Sequence, residues 1–159
     1  MTLISLNTAA QLAGVSKRTL WRRIAASTLS ASRSADPQGR TLLSLADIAK
    51  DIGLTLDGEV IAAILGADTG LARDQLELAL IFLEAGLPDK ALPWLRLAVK
   101  QGDADAMLIL GETQLEGRGA DTKADLIWIR RAAIAGHPLA LAIMEALPGQ
   151  LTRQECPGV

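Results

Sequence analysis

Aromatic residues are nearly missing from this chain: Trp21, Phe82, Trp94 and Trp128 are the only four in 159 residues. Its cores must therefore be built from Leu, Ile and Ala. Ala and Leu favour helices, and with few of the aromatic residues that strands prefer, a mainly helical protein is expected. Cysteine is reduced to Cys156, which excludes an internal disulfide and a zinc site built on thiolates, and a reducing compartment is the simple reading. His137 is the sole histidine, so no two-histidine metal motif can be assembled. No apolar run approaches the roughly 18 residues of a spanning helix. The opening Met-Thr-Leu-Ile-Ser-Leu-Asn lacks the basic region and apolar stretch of a signal peptide. A cytoplasmic protein without a membrane partner is expected.

Catalytic signatures are missing too. There is no Gly-x-Ser-x-Gly elbow, no Walker-type loop and no dinucleotide Gly-x-Gly-x-x-Gly, and Gly117-x-Gly119 follows a helical pattern rather than a strand. No enzyme activity, cofactor or metal is expected.

What the chain does have is an uneven distribution of charge. Residues 1 to 56 carry seven Lys or Arg (Lys17, Arg18, Arg22, Arg23, Arg33, Arg40, Lys50) against three Asp, a balance of +4. The remainder carries nine against fifteen, a balance of −6, and the two give the formal net charge of −2. A basic head on an acidic body suits a module that meets phosphate, because binding depends on local rather than average charge. The seam falls near 51–58, where Ile-Gly-Leu-Thr-Leu-Asp-Gly interrupts helical periodicity. Three segments are expected: residues 1–55, residues 56–150 and a polar tail at 151–159.

In the first segment Thr8 is placed to cap a helix, with Gln11 completing a capping box, and Gly14 to end it. Ser16 caps a second helix at once, with Val15 and Leu20 stapling its start, which makes a helix-turn-helix of minimal length. Leu20 and Ile24 face the core; Lys17, Arg18, Thr19 and Arg22 form the outward contact set, with Arg23 at its margin. Trp21 is expected in the core rather than on DNA. Residues 29–33 and 40–44 flank a turn-rich tip and read as a β-hairpin that carries Arg33 and Arg40. Ser44 then caps a helix starting Leu45-Ala46-Asp47-Ile48.

The run Asn-Thr-Ala-Ala-Gln-Leu-Ala-Gly-Val-Ser-Lys-Arg-Thr-Leu-Trp-Arg-Arg-Ile, a hairpin, then Ser-Leu-Ala-Asp-Ile resembles the excisionase and MerR-like winged-helix family over residues 3 to 53. The resemblance implies that the second helix reads the major groove and the wing touches the backbone. It carries those roles onto Lys17, Arg18, Thr19, Arg22 and the hairpin from Arg33 to Arg40. The family usually has a glycine after the reading helix, where this chain has Ser27, and a more basic wing, where this chain has Asp36.

The second segment repeats itself. Residues 91–102 align with 125–136 at an offset of 34, bringing Trp94 onto Trp128, and the helices from Asp74 and Asp105 align with Gly86 on Gly117. A further helix at 139–146 and residues 58–66 are placed to cap the two ends. Ala106-x3-Leu110-Gly111 through Gly117-x-Gly119 to Trp128-x-Arg130-Arg131-Ala132-Ala133-x2-Gly136 resembles a Sel1-like repeat, a relative of the tetratricopeptide repeat. The resemblance implies a protein-interaction scaffold. Trp94 and Trp128 are expected as core spacers, and His137 as a structural residue at a repeat junction.

The expected architecture is thus mainly α: a winged helix-turn-helix with a small hairpin wing, followed by a short α-solenoid. The expected function is a DNA-binding transcriptional regulator whose partners are double-stranded DNA, a second copy of itself, and a protein recruited by the repeats. Dimerisation is expected because one short reading helix makes few base contacts, and half-sites about 34 Å apart would double them. An excisionase-like accessory factor for recombination or DNA architecture, and an adaptor that binds no DNA, are the alternatives.

Overall fold

The computed structural model describes residues 1–34, 39–118 and 126–147. Within them the chain is mainly helical, with nine α-helices and a three-stranded antiparallel sheet. The wing tip at 35–38, the repeat loop from 119 and the tail with Cys156 lie outside the described residues. The chain divides into two compact units, Met1–Ala98 and a second that starts at Val99. Charge changes sign near residue 56, but the packing divides more than forty residues later, between Ala98 and Val99.

The first unit opens with β1 (Leu3–Ser5), which runs directly into α1 (Leu6–Ala13). The cap of α1 is Ser5, whose Oγ accepts the Thr8 N–H at 3.3 Å, and this corrects the expectation of a Thr8 cap. The helix starts one turn earlier because Ser5 is fixed from both sides: its strand pairs with β3, and its N–H and Oγ are held by Asp68. Gly14 ends the helix at a φ of 67°, a conformation that glycine enters without a Cβ penalty. Val15 N–H then reaches the Ala10 carbonyl at 3.0 Å, and Ser16 caps α2 (Lys17–Ala25) by accepting the Thr19 N–H at 3.1 Å.

After α2 come β2 (Ala31–Arg33) and β3 (Thr41–Ser44), paired antiparallel as Ala31 with Leu43 and Arg33 with Thr41. β1 pairs with the other edge of β3, which gives the order β1-β3-β2. Ile4 opposes Leu43, and both are fully buried, as are Leu12, Leu20 and Ile48. α3 (Leu45–Ile52) follows from β3; Ser44 holds its N-cap position but makes no capping hydrogen bond, a correction explained by its burial in the sheet. Leu45 N–H instead meets the Thr2 carbonyl at 2.9 Å, so the strand pairing carries on into the helix start.

α4 (Gly58–Thr69), α5 (Ala72–Glu84) and α6 (Pro88–Lys100) complete the unit around Ile64, Leu78, Phe82, Trp94 and Leu95. α4, most of which was expected as an end cap, packs against β1 and α1 as well as α5. Two polar contacts far apart in sequence fasten α1. At its first turn, Asp68 of α4 takes the Ser5 N–H at 3.1 Å and the Ser5 Oγ at 2.5 Å. At its last turn, Lys90 of α6 donates from Nζ to the Leu12 carbonyl at 2.9 Å and also to the Asp51 carbonyl in the last turn of α3. An anion at the start of a helix and a cation at its end both oppose the partial charges of unpaired backbone groups there. Burial lowers the Lys90 pKa below its ordinary 10.5, with Asp51 pulling the other way.

The second unit contains α7 (Ala104–Arg118), α8 (Leu126–Ile134) and α9 (Pro138–Ala146). Its core is Leu108, Ile129, Ala132, Ala133, Ala140 and Met144. Small residues at 132, 133 and 140 bring the helices close, so packing relies on backbone approach more than on bulk. Asp103 Oδ1 accepts the Ala106 N–H at 2.8 Å; His137 Nδ1 accepts the Ala140 N–H at 3.3 Å while its Nε2 lies 3.0 Å from Asp105. Trp94 is buried, whereas Trp128 is half-buried beneath the Arg131 guanidinium, 4.9 Å from the ring centre. Among the described residues no helix is long and apolar enough to cross a membrane.

Candidate nucleic-acid interface

Helix α2 has only nine residues, and of these Leu20 alone is fully buried, with Ile24 half-buried behind it. At 100° per residue, Lys17, Trp21, Ala25, Arg18 and Arg22 fall in that order on a continuous arc of roughly 140°. All five are exposed. This corrects the placement of Trp21, which is 49% exposed and sits between the cations rather than in the core. The reason is crowding: with Leu20 and Ile24 filling the inner face, the next position round the helix opens outward. A reading based on burial tendency alone missed it, although the arc was countable from the sequence.

Thr19 and Arg23 are otherwise engaged. Thr19 is half-buried, and its hydroxyl lies 3.0 Å from Ser16 Oγ within the cap. Arg23, expected at the margin of the contact set, forms an ion pair with Asp51 at 2.6 Å and so ties α2 to α3. Its geometry is that of a brace between two helices. The end of α2 is tightened further by Thr28, whose N–H and Oγ both donate to the Arg23 carbonyl, at 3.0 and 2.9 Å. Between them Ser27 adopts a φ of 56°, a left-handed conformation that glycine enters most readily.

The hairpin adds Arg33 on β2 and Arg40 just ahead of β3, both exposed, with Ser34 N–H donating to the Arg40 carbonyl at 2.8 Å. Asp47, in the first turn of α3, accepts the Ser30 N–H at 3.0 Å and anchors the approach to β2. The structure thus presents Lys17, Arg18 and Arg22 together on one helix and Arg33 and Arg40 on the hairpin.

One electrostatic feature of α2 stands apart from the needs of the fold. Its first turn holds Lys17 and Arg18 and no acidic residue. Cations at a helix start oppose the helix dipole and cost roughly 0.3–1 kcal/mol each in exposed positions. A helix selected for stability alone would carry Asp or Glu there. The same cations, beside unpaired N–H groups, suit an incoming phosphate. Among the described residues no group of three His, Cys, Asp or Glu is arranged to hold a metal ion. Comparison of the chain with family models, curated proteins and solved structures finds no match.

Proposed function

We propose that residues 1–53 act as a winged helix-turn-helix that places α2 in the major groove of duplex DNA, and that the chain is a transcriptional regulator. The observation that carries this reading is the exposed arc of α2, where Lys17, Arg18 and Arg22 surround Trp21 at the expense of the helix dipole. A major groove admits one helix, whose first turns reach base edges. In this reading Arg18 and Arg22 contact bases or phosphates, Trp21 offers apolar contact to thymine methyl groups and sugars, and Arg33 and Arg40 of the wing meet the flanking backbone. Lys17 supplies phosphate contact at the helix start. The helices from α5 onward act as Sel1-like repeats that pair two copies of the reader or recruit a protein.

Fluorescence anisotropy of the full chain against random and genomic duplexes, over a series of salt concentrations, tests this. Affinity falls with salt at a slope of about 0.9 per neutralised phosphate. Arg22→Ala weakens binding by about 1–3 kcal/mol where it reads a base. Lack of binding to any duplex at low salt overturns the proposal. The adaptor reading draws on the exposed Trp21, and it predicts a partner interaction that Trp21→Ala abolishes and salt barely changes.

A further inference from the structure

Two exposed helix faces, one in each unit, carry opposite charge beside apolar side chains. On α5, Arg73, Glu77, Leu80 and Glu84 fall within an arc of about 60° at 100° per residue, opposite the buried Leu78 and Phe82. All four are exposed, Leu80 by 38%. On α8, Ile127, Arg130, Arg131 and Ile134 occupy an arc of about 100°, opposite the buried Ile129, Ala132 and Ala133. These four are exposed too, with Ile127 at 48% and Ile134 at 80%. Single exposed apolar residues are ordinary on a protein surface. Ile127 and Ile134 stand two turns apart on one line, which is the spacing at which helices meet.

Charge decides what each face can meet. Antiparallel pairing of α8 with the α8 of another copy, Ile127 on Ile134, brings Arg130 onto Arg131. The same pairing of α5 with itself, centred on Leu80, brings Glu77 onto Glu84. Like charges set against each other in a contact are repulsive, so neither face suits itself. Crossing the two faces removes the conflict. With α5 antiparallel to α8 and Leu80 on Ile127, Glu77 meets Arg130, and the stem of Arg73 lies over Ile134. With Leu80 on Ile134, Glu84 meets Arg130 instead. Either register joins an apolar contact to an ionic one.

We infer that α5 of one copy docks on α8 of a second copy, so that a two-fold pair makes the contact twice. The inference rests on the reading of the repeats as the part that pairs two copies, and it names the surfaces. Neither face includes a residue of α2, so both readers stay open to DNA.

Sedimentation velocity on the full chain at tens of micromolar and low salt tests this. A dimer is expected that dissociates as salt rises, because exposed ion pairs are screened. Two variants reverse the faces: Glu77→Arg with Glu84→Arg, and Arg130→Glu with Arg131→Glu. Each alone is expected to dimerise at least about tenfold more weakly than wild type, since both contacts then oppose like charges. An equal mixture of the two restores the dimer, because the altered faces attract each other and so do the unaltered ones. The chain carrying all four substitutions keeps the wild-type net charge and dimerises alone, which separates pairing of these faces from a general charge effect or loss of folding. A monomeric wild type, variants that dimerise as tightly as wild type, or a mixture that stays monomeric overturns the inference. Anisotropy with duplex DNA on the same samples keeps the two readings apart. DNA binding by a monomeric wild type strikes the contact alone, whereas a dimer that binds no DNA strikes the reader and leaves the contact standing.

Discussion

The two units of this chain are held together by different chemistry. In the first, α1 is fastened by side chains distant in sequence, Asp68 at its start and Lys90 at its end, and Arg23 braces α2 against α3 through Asp51. In the second, helices meet through Ala132, Ala133 and Ala140, and most of the described side-chain hydrogen bonds stay within a turn, as with Asp103 to Ala106. Polar fasteners specify one orientation of a helix. Small-residue packing specifies closeness, and it repeats easily along a chain. The proposed DNA-binding role, which needs α2 presented at a fixed angle, calls for the first kind of contact.

Cutting the chain after Gly53 should break this comparison most severely. Residues 1–53 lose Asp68 and Lys90 together, and a domain of about 50 residues has little core in reserve. The fragment is expected to lose cooperative thermal unfolding by circular dichroism. A fragment that melts like the intact chain would show the fasteners to be dispensable.

Next in size is Lys90→Met, which leaves the Leu12 and Asp51 carbonyls without their donor and should cost about 2–3 kcal/mol in urea unfolding. Its pH dependence carries a sign. Because the Lys90 pKa is lowered in the folded state, unfolding takes up a proton between that lowered value and 10.5. The wild type therefore gains stability relative to the variant as pH rises through that window. A constant difference across it would contradict the assignment.

His137→Ala probes the second unit. It removes the cap on α9 and the Asp105 contact, and is expected to cost about 1 kcal/mol. Hydrogen exchange should show the loss in α7 to α9 and leave α1 to α3 unchanged; a loss spread over both units would blur the distinction drawn here. The smallest effect is a gain. Ser27→Gly relieves a left-handed residue and should stabilise by about 0.5–1 kcal/mol, read as a rise in melting temperature.

The legibility of the sequence follows the same division. Capping by Ser16, the stop at Gly14 and the hairpin pairing within residues 29–44 were all readable, because each is decided by residues a few positions apart. Strand β1 was not, since Leu3–Ser5 is too short to show alternation and becomes a strand only by pairing with β3, about forty residues on. The roles of Asp68 and Lys90 were equally hidden, because their partners lie 63 positions away for Asp68 and 78 and 39 positions away for Lys90. At the candidate interface the cations were legible from composition. The diversion of Arg23 to Asp51 depends on where α3 docks, and that is a tertiary fact.

The double attachment of α1 has a mechanical consequence. Its two ends are gripped by different helices, α4 through Asp68 and α6 through Lys90, and the tight turn at Gly14 joins it directly to α2. The turn that carries α2 is therefore held in place from two helices that lie far along the chain from α1, and α2 inherits its orientation from both attachments.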